Sequence, residues 1–198
     1  MTKRKFEQPI SVLVSNNTNV DYFNELNCDS IKIRNNRIIF NSIVSTVTIA
    51  KLFEFIKIII ESPGLQYSGN RIYLHIISKG GTLNALNDFI QIKNNSFPHI
   101  EFISIIENSS IDAGFMLAAL CDYRFIKKNV ICYMSLLDFN SKYWGVYHQG
   151  ENQLIDFEHI ISNSKYKISR EKMLKYLPQN NNWNAKKMVK IGFADEII

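Results

Sequence analysis

A junction between a predicted strand and a predicted helix decides the fold of this chain, and residues 109–119 there read Ser-Ser-Ile-Asp-Ala-Gly-Phe-Met-Leu-Ala-Ala. A second junction precedes it, where residues 76–81 read Ile-Ile-Ser-Lys-Gly-Gly. Consecutive glycines after a buried strand allow a sharp turn that points backbone N–H groups outward. A residue at the head of the following helix lies where the helix dipole favours negative charge. Two such junctions from neighbouring strand–helix units are therefore expected to face each other across one groove.

The alternation of strand and helix extends outward from these junctions. Strands are predicted at 37–40, 71–77, 101–106, 124–126 and 130–134, and helices at 46–60, 82–93, 113–120, 151–162, 169–176 and 185–191. The near-continuous apolar run at 71–77 is typical of a strand covered on both faces. Asn184 is the predicted N-cap of the last helix. This order predicts an α/β fold of stacked right-handed βαβ units, with a mostly parallel sheet flanked by helices.

The length and composition predict one domain with a small appendage. The chain has 198 residues, of which 46% are hydrophobic, so it can bury a sizeable core. Residues 1–30 are the least patterned stretch, and we interpret them as an N-terminal appendage or capping segment. Residues 31–198 form the predicted domain.

Charge and hydropathy exclude several functional classes. The net charge of +5 is spread along the chain, without the basic stripe or stacking aromatics that would indicate nucleic-acid binding. No apolar run reaches the roughly 20 residues that span a bilayer. The apolar run at 10–14 is shorter than the roughly 7–15 residues of a signal-peptide core, so we expect no membrane partner and no signal peptide.

The cysteines favour a reducing compartment such as the cytoplasm. Cys28, Cys121 and Cys132 have no metal-ligand spacing, and their odd number argues against a disulfide framework. Apolar neighbours predict that Cys121 and Cys132 are buried thiols. The sequence therefore predicts neither a metal nor another cofactor.

Both junctions resemble segments of the proteolytic subunit of Clp protease (ClpP). Residues 78–81, Ser-Lys-Gly-Gly, resemble the Ser-Pro-Gly-Gly of that family, with Lys79 in place of proline. Residues 112–119 resemble the segment that starts at the nucleophilic serine and continues small-Gly-apolar-apolar-Leu-Ala-Ala. Residues 184–197 are similar to the closing Ser-Ala-x-x-Ala-x-x-x-Gly-Leu-Ile-Asp-x-Ile. The resemblance runs over about residues 34–198, and it implies a ClpP/crotonase-like fold with a handle-like helical region at 150–178.

The same resemblance implies that the catalytic triad has been replaced. It places Asp112 at the position of the nucleophilic serine, Ser135 at that of the histidine and Asn180 at that of the aspartate. A serine attacks only when a base accepts its proton and a third group orients that base. None of these three positions retains the required group, so the resemblance implies an inactive peptidase site.

The backbone of the former oxyanion region is expected to remain. The resemblance assigns it to Gly80, Gly81 and Ala113. We expect Asp112 to cap the helix at 113–120 and to place its carboxylate near the N–H groups of Gly81 and Ala113. The Asp112 carboxylate would then occupy the oxyanion region of a site that has also lost its catalytic groups.

Two catalytic alternatives stay open on the sequence. An active serine endopeptidase with a rearranged site would use Ser109 or Ser110, with a base from elsewhere, such as His148. The His75 side chain is instead expected to be a satisfied core or interface group. Residues 114–124 also resemble the crotonase family, in which Asp112 would be an acid, base or nucleophile beside an acyl-CoA thioester. The serine–lysine peptidases related to ClpP do not fit, because their serine also aligns with Asp112.

The remaining role is structural or regulatory. The resemblance implies a subunit of an oligomeric ring, either homomeric or shared with an active ClpP-like subunit. An AAA+ unfoldase is a further partner that it suggests.

Overall fold

The computed structural model describes residues 30–62, 70–82, 84–108, 110–134 and 181–198. The strands are β1 (Ser30–Arg34), β2 (Arg37–Asn41), β3 (Arg71–Ile77), β4 (Glu101–Ile106), β5 (Tyr123–Ile126), β6 (Ile131–Met134), β7 (Asn181–Asn184) and β8 (Glu196–Ile197). The helices are α1 (Thr46–Glu61), α2 (Asn84–Ser96), α3 (Asp112–Ala119) and α4 (Ala185–Ile191). The predicted elements within these ranges are therefore present, with ends that shift by a few residues.

Within the described part of the chain, six strands form the main sheet, in the order β1-β2-β3-β4-β5-β8. β1 pairs antiparallel with β2, and every later pair in this sheet is parallel. Helices connect the parallel strands β2, β3, β4 and β5, as stacked βαβ units require. The predicted α/β architecture with a mostly parallel sheet is confirmed.

Two helices begin at caps that the local sequence supplies. Ser45 and Thr48 form a capping box at α1, because the Ser45 hydroxyl accepts from the Thr48 N–H at 3.2 Å while the Thr48 hydroxyl accepts from the Ser45 N–H at 2.9 Å. The predicted cap at α4 is confirmed, since Asn184 accepts from the Lys187 N–H at 2.9 Å. α4 ends at Gly192, whose φ of +90° suits glycine.

The two faces of β3 differ in how completely they are buried. On β3, the side chains of Ile72, Leu74 and Ile76 are completely buried on the face that packs against the core, together with the apolar residues of α1 and α2. The alternate β3 residues, Tyr73 and His75 among them, are only half-buried on the opposite face. The prediction that this strand is covered on both faces therefore holds for one face only. An alternating burial pattern is typical of a strand that has one closely packed side.

None of the helices within the described ranges is both long enough and apolar enough to cross a membrane.

Candidate functional site

The glycine-bearing turn after β3 and the aspartate-bearing turn after β4 lie side by side, at the carboxyl ends of these two strands. The Ile111 N–H donates to the Ser78 carbonyl at 3.1 Å, which joins the turns directly. A Cβ placed on Gly80 would lie 3.8 Å from the Asp112 Cβ. The structure therefore brings together the two junctions that the sequence predicted to share one groove.

The turn after β3 requires glycine at position 81. Gly81 has a φ of +147°, and a Cβ there would lie 2.0 Å from the Val44 carbonyl oxygen. Backbone hydrogen bonds join the turn to the segment before α1, from Val44 N to Gly80 O at 2.8 Å and from Thr82 N to Val44 O at 2.9 Å. This close backbone contact holds one wall of the site in a fixed conformation.

Asp112 begins α3 in a strained backbone conformation. Its φ is +42°, in the left-handed region that residues other than Gly, Asn and Asp rarely adopt. The N-cap is Ile111 and Asp112 is the first residue of the helix, so the predicted cap position is wrong by one residue. The physical reason is the sharp reversal from β4 into α3, which places Asp112 inside the first turn instead of before it. That the Asp112 carboxylate accepts from a backbone N–H of the first turn stays a prediction. A strained residue between a strand and a helix is the arrangement that presents the nucleophile in α/β-hydrolases.

The predicted oxyanion-like backbone is only partly available. The N–H of Gly80 donates to the Ser78 hydroxyl at 3.3 Å, and that hydroxyl in turn donates to the Gly80 carbonyl at the same distance. Gly80 therefore uses its own donor within the turn. The N–H groups of Gly81 and Ala113 remain the predicted donors, and the position of the Asp112 carboxylate relative to them stays a prediction.

Two serine hydroxyls lie behind α3. The side chains of Ser78 and Ser110 are 1% and 0% exposed. The helix approaches them closely at Gly114, where a Cβ would lie 2.3 Å from the Ser78 Cβ and 3.1 Å from the Ser110 Oγ. The Ser110 hydroxyl has no hydrogen-bond partner among the described residues. Sequence reasoning identified Ser110 as a possible substitute nucleophile but did not predict that packing against α3 buries it completely.

A short antiparallel ladder flanks the site. The Tyr133 N–H of β6 donates to the Ser110 carbonyl at 3.0 Å, and β6 pairs with β7 so that Met134 lies opposite Asn181. Ser135 follows Met134 in sequence and Asn180 precedes Asn181. Both triad positions lie outside the described residues, as do Ser109, His148 and the handle-like region at 150–178.

Neither histidine within the described ranges lies beside Asp112. α3 packs on the face of the sheet that carries Ser104, whose hydroxyl donates to the Ala118 carbonyl at 3.0 Å. His75 is in register with Ile105 and therefore points to the opposite face. His99 precedes β4, whereas Asp112 follows it, and a strand of this length separates its ends by about 20 Å. His75 was expected to be satisfied, but among the described residues only its Nδ1 has a partner, the Glu107 carboxylate at 2.6 Å.

The cysteines beside α3 are poor nucleophiles. Burial raises the pKa of Cys132 to about 12, although a hydrogen bond with the Ser110 backbone opposes this shift. Burial likewise raises the pKa of Cys121 to about 12. Both thiols are buried, as the sequence predicted, and both stay protonated near neutral pH. Within the described ranges, no group of three or more His, Cys, Asp and Glu side chains could hold a metal ion.

Comparison with known proteins supports the fold. No family model matches the sequence, and no curated protein matches it either. The structure is similar to the crystal structure of the ClpP protease catalytic domain from Plasmodium falciparum, with a TM-score of 0.64 and 16% sequence identity. The match covers 82% of this chain and 85% of that one. An identity this low establishes the fold alone, and on that basis the chain has a ClpP-like α/β fold.

Proposed function

We propose that this chain is a ClpP-like subunit without peptidase chemistry, which acts structurally or as a regulator within a ring assembly. The observation that carries the proposal is Asp112 at the head of α3, where the resemblance to ClpP places the nucleophilic serine. A carboxylate cannot replace a serine alkoxide in a peptidase that relies on a histidine base. Ser135 and Asn180 extend the same argument to the other two triad positions.

The surroundings of Asp112 support the absence of a substitute nucleophile. Ser110 is fully buried behind α3, and the Ser78 hydroxyl is bonded within its own turn. The described histidines lie across the sheet or at its far edge. A rearranged serine peptidase would need both an accessible hydroxyl and a base within hydrogen-bond reach.

The experiment is to incubate the purified chain with a fluorophosphonate probe and with fluorogenic peptides. We expect neither labelling nor hydrolysis above the signal of a heat-denatured sample. Labelling that maps to Ser109 or Ser110 would instead establish the rearranged endopeptidase. Labelling that disappears in Ser110→Ala but persists in Ser78→Ala would identify the responsible hydroxyl.

The assembly part of the proposal has its own test. A ring of ClpP-like subunits has a mass several times that of the 23.0 kDa chain, and multi-angle light scattering after size-exclusion chromatography separates the two. We expect such a species either for the chain alone or after mixing with an active ClpP-like subunit from the same source. A 23.0 kDa species under both conditions would contradict the ring while leaving the inactive site untouched. An AAA+ unfoldase as a further partner would be tested by adding it to whichever ring forms.

A second candidate function is favoured by the strain at Asp112. Residues held at positive φ concentrate at functional sites, and the resemblance of residues 114–124 to crotonases makes Asp112 a candidate acid, base or nucleophile on an acyl-CoA thioester. Thermal denaturation with coenzyme A and with acetyl-CoA tests this candidate. A rise in Tm that Asp112→Asn changes would support it, and an unchanged Tm at millimolar ligand would remove it.

A further inference from the structure

The outer edge of β1 is open among the residues that the structure describes. β1 pairs with β2 on one side, and no described strand lies beside its other side. Arg34 and Arg37 close a two-residue turn, and the closing pair of such a hairpin exchanges its two backbone hydrogen bonds. Bonded pairs alternate along an antiparallel ladder, so Lys32 also bonds to β2, whereas Ile31 and Ile33 point their N–H and C=O groups outward.

The side chains of β1 divide between a buried face and an exposed face. Ile31 is 5% exposed, and Ile33 is partly buried against the same core, on the face where α1 packs against β1. Lys32 and Arg34 alternate with them and are exposed on the opposite face. An open row of backbone groups beside a buried apolar face is a template for one further strand.

Residues 10–14 of the same chain have the pattern that this edge would accept. They read Ile-Ser-Val-Leu-Val, in which three β-branched residues alternate with the other two and none is charged. In an antiparallel arrangement the end of this run lies beside the start of β1, so the connection spans only the roughly 5 Å between neighbouring strands. Residues 15–29 are ample for that distance, and the closure entropy grows slowly with their number.

A second copy of β1 fits the same edge less well. Antiparallel pairing of two β1 strands would place Lys32 and Arg34 of both copies on one face of the joined sheet. Like charges directly opposite each other destabilise a sheet, and lysine on an edge strand is a common means of preventing this association. The uncharged run at 10–14 introduces no such repulsion.

We propose that residues 10–14 add an antiparallel strand to the outer edge of β1, so that the N-terminal segment of the chain closes the main sheet. Directly opposite residues of neighbouring strands share a face, so the three β-branched side chains lie on the core face beside Ile31 and Ile33. The same pairing gives each backbone group a direction. The Val12 N–H points toward β1, whereas the N–H of Leu13 points away from it.

Hydrogen–deuterium exchange, resolved to single residues by electron-transfer fragmentation, tests the proposal on the full-length chain. In wild type, we expect the Ile31 and Ile33 amides to exchange at least about tenfold more slowly than their intrinsic rates. Val12→Pro removes the N–H that faces β1 and should abolish this protection. Leu13→Pro removes an outward N–H, which an edge strand tolerates, and is the matched control that should retain it. The Lys32 amide, which donates to β2, should stay protected in all three proteins.

Three results would overturn the proposal. The first is wild type in which the Ile31 and Ile33 amides exchange at their intrinsic rates. The second is protection that survives Val12→Pro or that is lost equally in Leu13→Pro. The third is protection that rises with protein concentration, which would assign the edge to a second copy of the chain.

Disulfide trapping covers the case in which a proline variant fails to fold. Because Lys32 bonds to β2, the residue opposite it in the added strand forms a non-hydrogen-bonded pair, whose close Cβ atoms suit a disulfide. In a Cys28→Ser background, Lys32→Cys should form a disulfide under mild oxidation with Ser11→Cys or with Leu13→Cys, according to the register. It should form none with Val12→Cys, whose side chain lies on the other face. Peptide mass spectrometry detects the link, and linkage to neither residue, or equal linkage to Val12→Cys, would contradict the added strand.

Discussion

Arg124 and Asp195 form a two-pronged ion pair that attaches the C-terminal segment to β5. The Arg124 Nε and Nη2 donate to the two Asp195 carboxylate oxygens at 2.9 and 3.0 Å, and the Arg124 backbone N–H donates to the same carboxylate at 3.0 Å. The Asp195 N–H donates in return to the Arg124 carbonyl at 2.8 Å. Because the Arg124 side chain is 1% exposed, this pair lies within the protein interior and positions β8 beside β5.

Breaking this buried pair is expected to destabilise the fold strongly. Asp195→Ala leaves a buried guanidinium without its partner, and such a loss costs about 3–5 kcal/mol. Arg71→Ala is the matched control, because Arg71 pairs with Glu101 through side chains that are 37% and 39% exposed. An exposed pair contributes about 0–1 kcal/mol. Urea denaturation of both variants would show the difference, and equal losses would contradict the burial argument.

The close approach at Gly114 predicts a specific rescue. Gly114→Ala places a methyl group 2.3 Å from the Ser78 Cβ, so we expect a cost of about 1–3 kcal/mol from overpacking. Adding Ser78→Gly removes that atom and should recover part of the loss, whereas Ser78→Ala retains the Cβ and should recover little. The free energies of unfolding of the two double variants measure this coupling. If the changes in free energy of unfolding were additive in both double variants, α3 would be relieving the contact by moving away from β3.

The positive φ of Asp112 reverses the order of stability that helix propensity predicts for its alanine and glycine variants. Alanine is about 1 kcal/mol better than glycine at a position of ordinary helical geometry. At a φ of +42°, Asp112→Gly should instead be the more stable variant, by about 1 kcal/mol. Both substitutions remove the carboxylate, so their difference isolates the backbone. Chemical denaturation measures it, and a more stable Asp112→Ala would show that the residue adopts a normal helical φ.

Local sequence signals predict one part of this fold, and tertiary packing determines the rest. The βαβ order follows from apolar runs and glycine-bearing turns, which are local signals. β7 was missed because residues 181–184 read Asn-Asn-Trp-Asn, a polar stretch that carries one buried side chain. That side chain, Trp183, is 1% exposed and lies against Phe115 and Phe193, with ring centroids 6.2 and 5.1 Å away. The strand therefore depends on tertiary packing that no local pattern encodes.

The same limit applies to the candidate site. The residues of the two turns could be named from the sequence, because glycines and small residues mark a strand-to-helix junction. The backbone strain at Asp112 could not be predicted from the sequence, since the angle of reversal from β4 into α3 depends on how the helix packs. The contact between His75 and Glu107 joins residues 32 positions apart and depends on the register of β3 against β4.

The buried thiols predict slow chemical modification. Cys121 and Cys132 are buried with pKa values raised to about 12, so the reactive thiolate is scarce near neutral pH. A Cys28→Ser variant leaves only these two thiols. Its reaction with a disulfide reagent should be slow in buffer and complete in denaturant. Fast reaction of either thiol in buffer would show that α3 or β6 opens readily.

Rebuilding the triad tests the residue assignments that underlie the proposed function. Asp112→Ser supplies an oxygen nucleophile at the head of α3, but without a base it should react with a fluorophosphonate no faster than solvent-exposed serines. Adding Ser135→His and Asn180→Asp supplies the base and its orienting group, and general-base assistance contributes about 10²–10⁴-fold. We therefore expect at least a roughly hundredfold faster labelling at position 112 in the triple variant. The double variant that retains Asn180 is the control, and should lie between the two. A triple variant that folds, as judged by its Tm, yet labels no faster than Asp112→Ser would show that Ser135 and Asn180 are not the triad positions.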